Sequence, residues 1–154
     1  MTGRPALQIE RFPGRPAEGI EQILLLRVPS DPVLIDPAVE LLIAACTEGV
    51  DISGPSQFRL RVSIAEAITN AIEFGNQRDP AKQVAIQADL LADWVRVAVT
   101  DEGIGFDPAE VPDPTTAERI ENPCGRGLLI IRHLAEKVGF NDKGNTIWMT
   151  LPRR

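Results

Sequence analysis

Histidine occurs once, cysteine twice, and no apolar run in the 154 residues reaches the length of a membrane span. Crossing a bilayer as a helix takes about 20 consecutive apolar residues, so no membrane insertion is expected. Cys46 and Cys124 are too few for a disulfide framework and fit a reducing compartment. Cys46, in "LLIAAC", reads as a small buried hydrophobe. Basic residues number 16 against 22 acidic ones, giving a net charge of −6, a pI near 4.8 and no Lys/Arg cluster. A nucleic-acid surface needs clustered positive charge, so no direct nucleic-acid partner is expected, although a basic protein partner stays compatible. The N-terminal stretch has arginines but no apolar core behind them, which argues against a secretory signal. These absences together describe a soluble cytoplasmic protein. No internal repeat is present.

With 44% apolar and 25% charged residues, the chain has the balance and size of one ordinary globular domain. Residues 1–19, rich in Pro, Gly and Arg and without a period, read as a flexible lead-in, leaving 20–154 as the folded domain. "IEQILLLRV" (20–28) suits a strand. A helix is expected over 36–48, with Asp36 as cap and Pro37 in the first turn. A longer one is expected from Ser56 to Phe74, with Phe58, Val62, Ala65, Ile68 and Ile72 as its apolar stripe and Gly75 as its stop. "QVAIQADLL" and "WVRVAVT" alternate as strands of a hairpin. The proline-rich, aperiodic segment from Asp107 to Cys124 reads as a lid, "LLIIRHLAEKV" (128–138) as a helix, and the C-terminal stretch as a hairpin about Lys143-Gly144-Asn145. This order predicts an α/β two-layer sandwich, a mixed but mainly antiparallel sheet with helices on one face.

Chemistry concentrates in three places. In "EAITNAIEFGN" (66–76), Glu66 and Asn70 stand one helical turn apart and share a face. They make either a local hydrogen bond at the rim of the core or a pair facing a ligand. In "TDEGIGFDP", Asp101 ends a strand and Gly103 and Gly105 follow. Glycine lets a flat ligand approach the backbone, and the carboxylate can accept from an exocyclic amine such as adenine's. A plain Asp-rich turn is the equal alternative. In "CGRGLLIIRHL", Gly125 and Gly127 lead into a helix whose start is an anion site, with phosphate the natural guest. The chain has no G-x-x-x-x-G-K-[ST] loop, and this Gly-x-Gly follows a loop rather than the strand of a dinucleotide fold. Arg126 adds charge there or faces solvent or a partner. His133 reads as a helix-surface or semi-buried histidine.

The order and spacing of these three motifs resemble the small anti-sigma-factor serine/threonine kinases of bacterial partner switching, members of the histidine-kinase-like ATPase superfamily. "EAITNAIEFGN" is similar to that family's N-box, "DEGIGFDP" to its first glycine box and "GRGLLIIRHLAEKV" to its second, from about residue 24 to the C-terminus. The resemblance implies ATP and Mg²⁺ as cofactors. Asn70 would hold the metal, and Glu66 would serve as base or orienting group for the attacking hydroxyl. Asp101, Gly103 and Gly105 would form the adenine pocket, and Gly125, Arg126 and Gly127 would meet the phosphates. It also implies phosphorylation of an anti-anti-sigma factor, sequestration of a sigma factor, and a homodimer. Two departures stand out. Phe74 replaces a histidine common in these kinases, while Glu73 and the leading Glu66 differ from true histidine kinases. A nucleotide-binding interaction module with little or no kinase activity is the alternative, and Glu66 argues against it, because a pure binder needs no base.

Overall fold

The structure, a computed structural model, describes residues 7–105 and 123–154. Among the described residues, six strands form one sheet in the order β1-β2-β3-β4-β6-β5, and every neighbouring pair is antiparallel. They are β1 (Glu10–Arg15), β2 (Ile20–Pro29), β3 (Gln83–Leu90), β4 (Trp94–Thr100), β5 (Lys137–Phe140) and β6 (Thr146–Pro152). The described α-helices, α1 (Ile35–Cys46), α2 (Gly54–Asn70) and α3 (Pro123–Leu134), supply the second layer of the expected two-layer sandwich.

Strand alternation fixes which face is covered. Leu24, Leu26 and Val28 of β2, Val84, Ile86 and Ala88 of β3, Val95, Val97 and Val99 of β4, and Met149 and Leu151 of β6 are all buried. They pack with Leu42 of α1, Leu60, Ile64 and Ile68 of α2, and Leu128 and Ile131 of α3 in one continuous core. Burying each large aliphatic side chain contributes about 1.5–3 kcal/mol, which holds α2 rigidly against the sheet. The other face keeps Trp94 and Trp148 exposed.

Several local expectations are corrected. Part of the stretch read as a flexible lead-in is β1, an edge strand pairing with β2 from Glu10↔Leu25 to Arg15↔Ile20. Its Pro13 and Gly14 hide the strand pattern, and proline is tolerated because an edge strand leaves one side unpaired. Asp36 is not a cap. A short 3₁₀ turn over Pro32–Leu34 precedes α1, and Asp31 caps that turn by accepting from Val33 N at 3.0 Å. Helix α2 begins at Gly54, with Ser53 capping Ser56 N at 3.2 Å. Its buried stripe runs through Leu60, Ile64, Ala67 and Ile68, whereas Phe58 lies outside it at 58% exposure. Helix α3 ends at Leu134, so Lys137 and Val138 belong to β5 rather than to a helix. Most of the segment read as a lid falls outside the described residues.

Candidate functional site

The site is assembled along α2. After Asn70 the helix loosens into a π turn, Ala71–Gly75, closed by Asn76 N donating to Ala71 O at 2.8 Å. Such turns occur mostly as single insertions and often at functional sites. Gln77 and Arg78 follow with φ of 51° and 57°, two successive non-glycine residues in the left-handed region. That conformation costs on the order of 1 kcal/mol or more per residue and persists only where surrounding contacts hold it. Here Arg78 grips Glu73 through two bonds of 2.6 and 2.8 Å, and Arg78 N donates to Ile72 O at 2.9 Å.

Glu66 and Asn70 are half-buried on α2. Among the described residues, no hydrogen bond or ion pair engages either side chain. The local bond considered from sequence is therefore not made. Helix α3 packs on α2 at this point. A Cβ placed on Gly127 would fall 2.9 Å from Glu66 Oε2 and 3.0 Å from Asn70 Nδ2. The missing side chain leaves room for both groups, and two motifs distant in sequence meet at it. Gly127 is the fifth residue of α3, whereas Gly125 lies in the opening turn, where backbone N–H groups lack intrahelical partners. Arg126 is exposed beside them. His133 is exposed in the last turn of α3 with Arg132, where positive charge complements the helix dipole.

A second cluster forms at the end of α2. Asp101 follows β4 and accepts from Gly103 N at 2.8 Å, which occupies its Oδ1. Any Cβ on Gly75 would collide with the Asp101 carboxyl group, and one on Gly103 with the Gly75 carbonyl. Gly75 is therefore more than a helix stop: its missing side chain admits Asp101. Gly105 has φ of 79° and abuts the Lys143 carbonyl. Burial raises the Asp101 carboxyl above its ordinary range, opposed by the Gly103 N–H and by the charges of Lys143 and Lys82. The structure thus brings Glu66, Asn70 and Gly127 together, and separately Asp101, Gly103, Gly105 and Gly75. Asn70 and Gly75, which anchor the two groups, are five residues apart on one helical rod, about 7 Å along its axis.

A profile of the histidine kinase-like ATPase domain matches residues 28–151, a span that contains both groups. This chain belongs to the histidine kinase-like ATPase family. Within the family, the domain is 30% identical over 97 residues to the anti-sigma F factor of Oceanobacillus iheyensis, covering 59% of this chain and 66% of the relative. It is 25% identical over 124 residues to the serine-protein kinase RsbW of the same organism, covering 77% and 78%. The anti-sigma F factor of Clostridium perfringens is 30% identical over 96 residues, covering 58% and 68%. The matched stretch thus spans about two thirds of the length of the anti-sigma F relatives. The expected resemblance to anti-sigma-factor kinases is borne out. No described helix of this histidine kinase-like ATPase domain is long and apolar enough to cross a membrane.

Two residues that sequence reasoning passed over stand behind Asp101. They are Asn76, the last letter of the quoted "EAITNAIEFGN", and Asn145 of the C-terminal turn. The only signal for either was adjacency, since asparagine in a turn is ordinarily read as local turn chemistry.

Proposed function

We propose that this domain is an ATP-dependent serine/threonine kinase that phosphorylates an anti-anti-sigma factor and sequesters a sigma factor. The observation that carries the reading is the meeting of Gly127, near the start of α3, with Glu66 and Asn70, an acid and an amide that no hydrogen bond or ion pair engages among the described residues. The names of the relatives, anti-sigma F factor and serine-protein kinase RsbW, support the class of activity and the partners.

The residues fit a magnesium ion. Mg²⁺ is usually held by one or two protein oxygens together with substrate phosphates and water, and the half-buried Asn70 amide offers one such oxygen. When bound, the ion neutralises charge on the phosphate oxygens. Glu66, one turn away, takes the proton of the attacking hydroxyl and orients it. Gly125 in the opening turn of α3, with Arg126 beside it, faces the phosphates, and Asp101 accepts from the adenine amine with Gly103 and Gly105 shaping the pocket. The reading includes a homodimer, for which Trp94, Trp148 and Phe12 on the uncovered sheet face supply exposed apolar surface.

The test pairs ATP affinity by calorimetry with transfer of labelled phosphate to an acceptor protein encoded nearby. Glu66→Gln should keep Mg-ATP binding and lower transfer by ~10²–10⁴-fold, the usual loss on removing a general base. Wild-type protein that binds Mg-ATP yet phosphorylates no neighbouring acceptor would favour the nucleotide-binding module instead. Undiminished transfer by Glu66→Gln would remove the role assigned to Glu66.

A further inference from the structure

Asn76 is buried at 1% exposure, and both amide hydrogens and the amide oxygen are engaged. Nδ2 donates to Ser30 Oγ at 2.9 Å and to the Gln83 carbonyl at 3.0 Å, while Oδ1 accepts from Glu102 N at 2.7 Å. The orientation of this amide is forced, because Gln83 O can only accept and Glu102 N can only donate. On the other side of the same turn, Asn145 Nδ2 donates to Asp101 O at 3.0 Å. Asp101 O and Glu102 N are the two polar ends of a single peptide group, the one that directly follows the Asp101 side chain. Each end is held by a different asparagine.

We propose that Asn76 and Asn145 are positioning residues for nucleotide recognition, clamping the Asp101–Glu102 peptide so that the Asp101 carboxylate is aimed at the base. A peptide group in a glycine-bearing turn can rotate and exchange the directions of its C=O and N–H, as interconverting turn types do. Rotation here would set a carbonyl against Asn76 Oδ1 and an N–H against Asn145 Nδ2, acceptor to acceptor and donor to donor. Both contacts would turn repulsive, so the pair locks one orientation. That orientation also keeps Gly103 N on Asp101 Oδ1, which leaves Oδ2 for an exocyclic amine. The π turn and the left-handed residues Gln77 and Arg78 flank Asn76, so strained backbone brackets the buried amide.

The inference rests on the assignment of Asp101 to the adenine base. Its test measures ATP and GTP affinity for wild type, Asp101→Ala, Asn145→Ala and Asn76→Ala, with the KM and kcat of phosphate transfer alongside. Losing one neutral hydrogen bond to the clamp should weaken ATP binding by about fivefold and narrow the preference for ATP over GTP. KM should rise while kcat at saturating ATP holds, because the base lies away from the reacting phosphate. A purely structural role would instead lower the active fraction, and thus the apparent kcat, without moving KM or the base preference. Asn145 is only half-buried, so Asn145→Ala decides the matter even where Asn76→Ala fails to fold. Loss of ATP preference in Asp101→Ala with full retention in folded Asn145→Ala overturns the clamp while leaving the site intact. Wild-type protein with no preference for ATP overturns the base assignment itself.

Discussion

Adding one carbon at Gly127 tests the site more sharply than removing any of its charged groups. In Gly127→Ala the new Cβ would lie 2.9 Å from Glu66 Oε2 and 3.0 Å from Asn70 Nδ2. Ordinary carbon–oxygen contact lies near 3.5 Å, so the Glu66 carboxylate must retreat by roughly 0.5 Å. It sits at the end of a flexible side chain and is half-buried, so it can swing aside without moving the backbone. The fold should therefore not suffer. Alanine inside a helix gains about 0.5–1 kcal/mol over glycine, worth about 2–4 °C of melting temperature per kcal/mol in a chain of this size. Transfer should fall nonetheless, because misplacing a catalytic group by about 1 Å can cost ~10²-fold and half that displacement about tenfold. Thermal unfolding and single-turnover phosphate transfer on the same preparation give both numbers. In a Glu66→Gln background the alanine should cost little more, since groups acting as one unit do not add. A variant that loses stability while keeping full transfer would show that Gly127 serves helix packing alone. Such a result would separate α3 from the chemistry.

Four further outcomes are expected. Because the Asp101 carboxyl is raised by burial, the folded protein holds that proton to higher pH than the unfolded chain. Its contribution to stability is fullest below the unfolded value of 3.8 and is lost as pH rises through the folded value. ATP affinity runs the other way, weakening on acidification already above pH 3.8 as the acceptor is protonated; a titration in which Asp101→Asn shows the same pH profile as wild type would refute this. At neutral pH, Asp101→Asn should itself weaken ATP binding by ~1.5–3 kcal/mol, the worth of a hydrogen bond to a charged group, and unchanged calorimetric affinity would place the base elsewhere. Burial pushes the Cys46 thiol up to about 12, so with Cys124 replaced by serine the native protein should resist alkylation at pH 8 and react fully in urea. Labelling at equal rates in both states would contradict the burial of Cys46.

The parts of this molecule that were legible in its sequence are those where one residue's chemistry announces itself. Val84, Ile86, Ala88 and Leu90 alternate as β3 because one face of the sheet is covered, and that pattern needs no other information. Glu66 and Asn70 were legible as a shared face from spacing alone, but their roles came from resemblance to a family. Phe58 was misplaced because a five-residue apolar series fits more than one helical face, and packing against the sheet chose Leu60 and Ile64 instead. β1 was hidden by Pro13 and Gly14, residues that exclude a central strand but not an edge one. Asn76 and Asn145 were invisible because the peptide they hold lies 26 and 44 residues away. No local pattern records a side chain that serves a distant peptide.

The π turn has a consequence for how this helix is phased. In an α-helix each residue advances about 100° around the axis, so one extra residue in a turn rotates everything after it by that amount. Ala71–Gly75 makes such an insertion between Asn70 and Asn76. Upstream, the helix aims Glu66 and Asn70 toward α3; downstream, it aims Gly75 and Asn76 at the turn after β4. A single rod thus addresses two neighbours that an uninterrupted helix would not face in the same register. Deleting one residue from this segment would relax the backbone to ordinary helix and swing Asn76 away from Glu102. The chain would keep its core and lose its aim.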